Sequence, residues 1–228
     1  RCRVMEKSHP MRDHAAMDKP SAPPSFDYSR IPDMPASVFV APLKRPPGLG
    51  EDWLEPAQRK YSAEEHRIWD ELYQRQIGLM PGHACREFMR GLERLDLGRG
   101  GVPDFSEMSE ELRSLTGWSV VPVPMLIPDH VFYYHLANRR FPAGNFIRSR
   151  AQFDYIQEPD VFHDVFGHVP LLTAPIFASY MQAYGRAGWK ALKYNRLKAL
   201  SALYWYTVEC GLILEDEQLR IYGAGILS

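Results

Sequence analysis

Glu158-Pro159-Asp160-Val161-Phe162-His163-Asp164-Val165-Phe166-Gly167-His168-Val169-Pro170 sets two histidines, with an acid and a glycine between them, in an otherwise apolar run. His163 and His168 are five positions apart. On an ideal α-helix, at about 100° per residue, that spacing turns the two side chains roughly 140° away from each other. Helical zinc-protease motifs use a spacing of four, which keeps both imidazoles on one face. Here the rings converge only if the helix ends or distorts between them. Gly167 and Pro170 are suited to allow that. The spacing therefore sets a zinc protease aside, although Asp164 beside His163 superficially resembles one.

Two neutral imidazoles and one carboxylate, with coordination positions left free, suit a mononuclear non-haem iron(II) oxygenase. The carboxylate should come from an apolar element, because an unpaired buried carboxylate is costly. Glu209 in Tyr204-Trp205-Tyr206-Thr207-Val208-Glu209 meets that demand. Steps of four back from Glu209 reach Trp205 and Ser201, a stripe expected to line a pocket beside the metal. The residues alone leave other readings open. One is a zinc-dependent hydrolase with Asp164 or Glu209 as general base. Another is a helical binding protein whose histidines and aromatics are core residues.

The rest of the chain narrows the class. Its 228 residues suit one domain plus a tail and can bury about three quarters of the unfolded surface. Folding thus requires neither disulfides nor a structural metal. A formal net charge of −1 with no long charge block argues against a nucleic-acid or membrane partner. Cys2, Cys85 and Cys210 show no paired spacing and read as reduced thiols, so a cytoplasmic protein is expected.

Arg1 to about Ile31 is proline-rich without apolar periodicity and is expected to be a disordered tail. Residues 32–228 are expected to form the domain, with Pro32 to Pro56 as extended chain lying on it. Ser62-Ala63-Glu64-Glu65 is a capping box ahead of Ile68, Trp69, Leu72, Tyr73 and Ile77 at helical spacing. Further helices are expected over His83–Leu97, Ser106–Leu115, a segment capped by Asp129, one starting after Pro159, one from Pro175, and a long one over Tyr194–Leu214. Trp118–Pro124 with its two prolines reads as an edge strand at best, and Asn145–Arg148 and Leu219–Tyr222 as short strands. Tyr222-Gly223-Ala224-Gly225 reads as a turn. The class is mainly α with a few short strands.

In register, Glu158-Pro159-Asp160, His163, Gly167-His168-Val169-Pro170, Tyr204-Trp205 to Glu209-Cys210-Gly211-Leu212 and Tyr222-Gly223-Ala224-Gly225 resemble the catalytic domain of the pterin-dependent aromatic amino acid hydroxylases. The likeness covers about Arg59 to Ser228. With Asp164 where animal members carry glutamate, it is most similar to the bacterial phenylalanine hydroxylases. The resemblance implies a basket of helices around an iron cleft. It also implies an iron(II)- and tetrahydropterin-dependent monooxygenase, using tetrahydrobiopterin or a related pterin, that converts L-phenylalanine to L-tyrosine with dioxygen. Tryptophan or tyrosine hydroxylation is the alternative within the family. By resemblance His163, His168 and Glu209 are the iron ligands and Phe132 stacks on the pterin. Met125, Leu126, Ile127 and Asp129 contact the pterin edge, Asp164 is the acid facing it, and Ser201 lies beside it. Arg148 pairs with the substrate carboxylate, Trp205 walls the substrate ring, and Ser228 contacts the substrate backbone. Family members continue beyond the position of Ser228, so a domain lacking its last helices, and a monomer, are expected.

Overall fold

Ser62 opens the helical part as its capping box requires: its side chain accepts from Glu65 N–H, and the Glu65 carboxylate accepts from Ser62 N–H. The computed structural model describes residues 43–45 and 51–228. The expected tail, Arg1 to Ile31, lies outside the described residues, as does much of Pro32 to Pro56. The end of that second stretch does lie on the domain: Glu55 N–H donates to Pro122 O at 2.9 Å, and His135 Nε2 meets Asp52 O at 2.8 Å.

Helix α1 (Ala63–Leu79) buries Ile68, Trp69 and Leu72. Helix α2 (Arg86–Arg94) is shorter than expected, because His83–Cys85 is used otherwise: Ala84 bridges to Ile221, and Cys85 N–H donates to Ile221 O. Helix α3 (Phe105–Thr116) starts from the Asp104 cap and stops at Gly117, whose φ of 75° is the left-handed stop expected of glycine. Strand β1 (Ser119–Val123) pairs in parallel with β2 (Arg140–Gly144), joined by helix α4 (Asp129–Ala137) as crossover. The expected strand at Asn145–Arg148 is therefore displaced to Arg140–Gly144. Asp129 is the first residue of α4 and caps nothing; its carboxylate accepts from the Ser201 hydroxyl at 2.7 Å.

The His163 stretch begins helical at Val161, two residues later than Pro159 suggested, and is wound as a π-helix over His163–His168. A 3₁₀ turn (Val169–Thr173) absorbs Pro170 before helix α5 (Pro175–Lys193). The long last helix is corrected most. It comprises helix α6 (Leu197–Tyr204) and a second π-helix (Trp205–Glu209) and ends there. Gly211 allows the chain to pack tightly just after that end: a Cβ on it would lie 2.1 Å from the Tyr222 ring and 2.2 Å from Thr207 O. The chain turns into an antiparallel hairpin, β3 (Leu212–Glu215) and β4 (Gln218–Ile221), then into helix α7 (Ala224–Leu227) where a turn was expected. Trp69, Phe88, Leu112, Trp118, Phe162 and Phe166 are fully buried in one cluster that backs the π-helix. Among the described residues no helix is long and apolar enough to cross a membrane.

Candidate metal centre and pocket

In a π-helix the backbone bonds from i to i+5, so residues five apart return to the same face. That winding is the distortion the His163–His168 spacing demands. The two Nε2 atoms lie 3.3 Å apart. Residues four apart point the other way: Phe162 and Phe166 stack at 4.9 Å, 10° from parallel, within the core. Gly167 serves packing rather than the bend, since a Cβ there would come 3.0 Å from Ala224 Cβ. The second π-helix closes with Cys210 N–H donating to Trp205 O at 3.1 Å. It delivers Glu209 with one carboxylate oxygen 3.2 Å from His168 Nε2 and the other 3.6 Å from His163 Nε2.

The donor set fits a metal ion. One ligand atom from each of the three residues lies within 4.8 Å of the others, and among the described residues this is the only such group. Donors about 2 Å from one centre are separated by about 2.8–3.4 Å when at right or tetrahedral angles. The hydrogen bonds behind His163 also set its tautomer. Ser228 Oγ donates to Ala224 O at 2.9 Å, so towards His163 Nδ1, 2.8 Å away, it accepts. A proton on Nδ1 in that arrangement leaves Nε2 with a bare lone pair towards the centre, as a metal ligand requires. Burial pushes the His163 imidazole down to about 4, and His168 adds to the effect. Burial acts on His168 and Glu209 as well, but their mutual attraction outweighs it, raising His168 and holding the Glu209 carboxyl below its ordinary range. A cation at this point would meet two imidazoles and a carboxylate, with no lysine or arginine among the residues lining the pocket.

The trio forms the floor of a pocket of about 190 Å³. Of the residues expected from sequence, Leu126, Ile127, Phe132, Asp164, His163, His168 and Glu209 line it, together with Met125 and Asp129. Phe132 is held edge-on by Phe141 and Tyr204, at 6.3 and 5.5 Å between ring centres. Asp164 Oδ2 accepts from Gly144 N–H at 2.7 Å, and burial pushes its carboxyl up to about 7, so near neutrality it can hold a proton. Ser201 stands one bond behind the wall, donating to Asp129 and accepting from the Tyr133 hydroxyl. Ser228 stands behind His163. Arg148 is also behind the wall: its Nε and Nη2 each lie 2.9 Å from an oxygen of the fully buried Asp160. Asp160 additionally accepts from the backbone N–H of Arg148 and of His163, so one carboxylate ties the guanidinium to a metal-site histidine.

Trp205 is not brought to the pocket; it is 60% exposed. The reason is the same winding. Steps of four from Glu209 reach Trp205, but on a π-turn a step of five reaches Tyr204, which is buried and lines the pocket beside Phe132. Its hydroxyl has no hydrogen-bond partner among the described residues, and burial raises the phenol well above its usual range. Sequence periodicity missed Tyr204 because it assumed 3.6 residues per turn. Phe141 and Gly144 also line the pocket and carried no sequence signal of their own.

The fold and this trio define a family, and the chain belongs to it: a model of the biopterin-dependent aromatic amino acid hydroxylases matches residues 55–228. Among relatives, it is 59% identical over 184 residues to phenylalanine-4-hydroxylase of Caulobacter vibrioides, covering 80% of this chain and 63% of that protein. It is 59% identical over 169 residues to the Chromobacterium violaceum phenylalanine-4-hydroxylase, covering 74% and 57%. The structure of that bacterium's phenylalanine hydroxylase with iron(III) and 7,8-dihydrobiopterin superposes with a TM-score of 0.74 at 57% identity, over 77% of this chain and 65% of that one. The chain thus spans somewhat less than two thirds of the length of these relatives.

Proposed function

We propose that the protein is an iron(II)- and tetrahydropterin-dependent monooxygenase that hydroxylates L-phenylalanine to L-tyrosine with dioxygen. The observation that carries this reading is the convergence of His163, His168 and Glu209 from two π-helices onto one point at the floor of a pocket. Membership of the family and relatives named phenylalanine-4-hydroxylase support the choice of reaction and substrate.

His163, His168 and Glu209 would hold the iron, three protein ligands leaving positions open for small molecules. Iron(II) bound there supplies dioxygen activation, with the tetrahydropterin as the electron donor. The chain's own residues bind, orient and exclude water. Phe132 offers a flat ring to the pterin, and Leu126 and Ile127 line the pocket at its edge. Asp164 can donate or accept a proton at its pocket-facing carboxyl, since its titration lies near neutrality. Ser201 acts on that side through Asp129. On the substrate side Arg148, held behind the pocket wall by Asp160, would pair with the amino acid's carboxylate. Ser228 acts on the substrate side through His163. The same proposal takes residues 32–228 as the catalytic domain with residues 1–31 as a tail, and the enzyme as a cytoplasmic monomer.

Anaerobic loading with ferrous iron, followed by a tetrahydropterin, air and competing phenylalanine, tyrosine and tryptophan, tests the reading. Tyrosine formed preferentially from phenylalanine is the expected result. Iron binding without any ring hydroxylation would sink the function, and activity with zinc but not iron would reverse the choice of metal.

A further inference from the structure

Between Arg148 and Asp160 the chain makes an excursion, Ser149–Pro159, that leaves the buried ion pair, crosses to α1 and returns with Pro159 at the pocket wall. Nothing in its sequence makes it regular beyond one 3₁₀ turn, Arg150–Gln152, where the Ser149 hydroxyl donates to Gln152 at 2.9 Å. It is instead fastened by charge. The Arg150 guanidinium takes two carboxylates of α1 at once: Nε pairs with Glu64 at 3.1 Å, while Nη1 and Nη2 form a fork onto Glu71, the latter at 2.9 Å. Four residues beyond Arg150, Asp154 receives Arg75 of α1 at 2.9 Å. The Phe153 ring meets both cations, 4.8 Å from the Arg75 guanidinium and 5.4 Å from that of Arg150. Glu64 also pairs with Arg67, so the patch is a network.

Isolated exposed ion pairs contribute little; a forked guanidinium within a network is the exception. Every member is solvent-exposed or nearly so, and salt therefore reaches the whole cluster. Its position matters because Arg150 is two residues from Arg148, and the excursion begins and ends at the pocket's substrate side.

We propose that Arg150 is a positioning residue: by clamping Ser149–Pro159 to Glu64 and Glu71 it holds Arg148 ready for the amino acid's carboxylate, so substrate affinity depends on a salt-sensitive surface cluster. This rests on the function proposed above; the clamp itself is open to test without it. The site chemistry is remote from Arg150, so the effect belongs in KM and not in kcat or iron affinity.

Chymotryptic nicking after Phe153 and Tyr155 in metal-free protein reads the clamp. Arg150→Gln and Glu71→Gln should each speed nicking roughly two- to fivefold, as should about 1 M NaCl on the unaltered protein, while salt should add little to Arg150→Gln. Arg150→Lys, which keeps charge but loses the fork, should fall between. In the iron-loaded enzyme the phenylalanine KM should rise by a similar factor with kcat and ferrous affinity unchanged. Unchanged nicking overturns the clamp, whatever the kinetics show. Faster nicking with an unchanged KM overturns the link to substrate affinity. Faster nicking in a protein that hydroxylates no aromatic amino acid overturns the function proposed above and the affinity link with it, but leaves the clamp standing.

Discussion

The Ser228 hydroxyl lies between Ala224 O and His163 Nδ1, and with its proton given to Ala224 O it leaves His163 as the donor. Removing the hydroxyl leaves His163 free to flip tautomer or rotate. Ser228→Ala should weaken ferrous binding about 10- to 100-fold with little change in the circular dichroism spectrum; anaerobic iron titration gives the number. Arg148 presents the opposite case, a charge buried against a fully buried partner. Arg148→Lys keeps the charge but loses the two-point fork on Asp160. Phenylalanine KM should rise before ferrous affinity falls, and comparison of the two titrations decides it. Arg148→Ala should do more, costing about 3–5 kcal/mol in a denaturant melt, because it strands the Asp160 carboxylate.

At the scale of elements, the two π-helices do different work on their two faces. The first carries the stacked Phe162–Phe166 pair into the core and the histidines into the pocket. Phe166→Ala should cost about 3–5 kcal/mol by urea unfolding, and ferrous affinity should fall with it, since the core face holds the ligand face in place. A loss of stability with unchanged metal affinity would show that the π-turn is held from the pocket side instead. Much of the element layer was legible in the sequence. Ser62 and Glu65 announced α1, and the histidine spacing demanded a distorted helix. The form of the distortion was not legible, because hydropathy in a short apolar run has no winding number. For the same reason Trp205 was expected at the pocket and Tyr204 was not. Other misses come from long-range pairing: Asp129 reads locally as a cap, but its partner Ser201 is 72 residues away, and His83–Cys85 leaves its helix for the partner strand at Ile221.

At the scale of the molecule, the contact of residues 52–55 with the domain depends on a buried histidine. His135 uses Nε2 towards Asp52 O, while its Nδ1 is buried without a hydrogen-bond partner among the described residues. Burial lowers its titration, and Arg140 nearby adds to this against the pull of the Asp52 carbonyl. A depressed histidine favours folding in its neutral form. That contribution is fully present above about 6.5 and is lost as pH falls through the lowered value. Stability from urea melts should therefore decline below about pH 6.5, and His135→Gln, which can donate the same bond but does not titrate, should flatten that decline. An identical slope in the variant would assign the acid sensitivity elsewhere. Architecture on this scale was legible as mainly helical, and the site as two histidines and Glu209. The parallel β1–β2 pair and α7 were not, since each is defined by what it packs against, as the close approach of Ala224 to Gly167 shows.

The winding of His163–His168 also makes chain length there a chemical variable. Deleting Val165 would leave the hydropathy profile almost unchanged, yet it would place the histidines four apart, the spacing an ordinary α-helix serves. The imidazoles could still meet, but Phe162 and Phe166 would no longer stack, and the core would have to be rebuilt around a register it does not have. A one-residue gap at this point in an alignment of related chains should therefore be read as a change of construction, even where every ligand is kept.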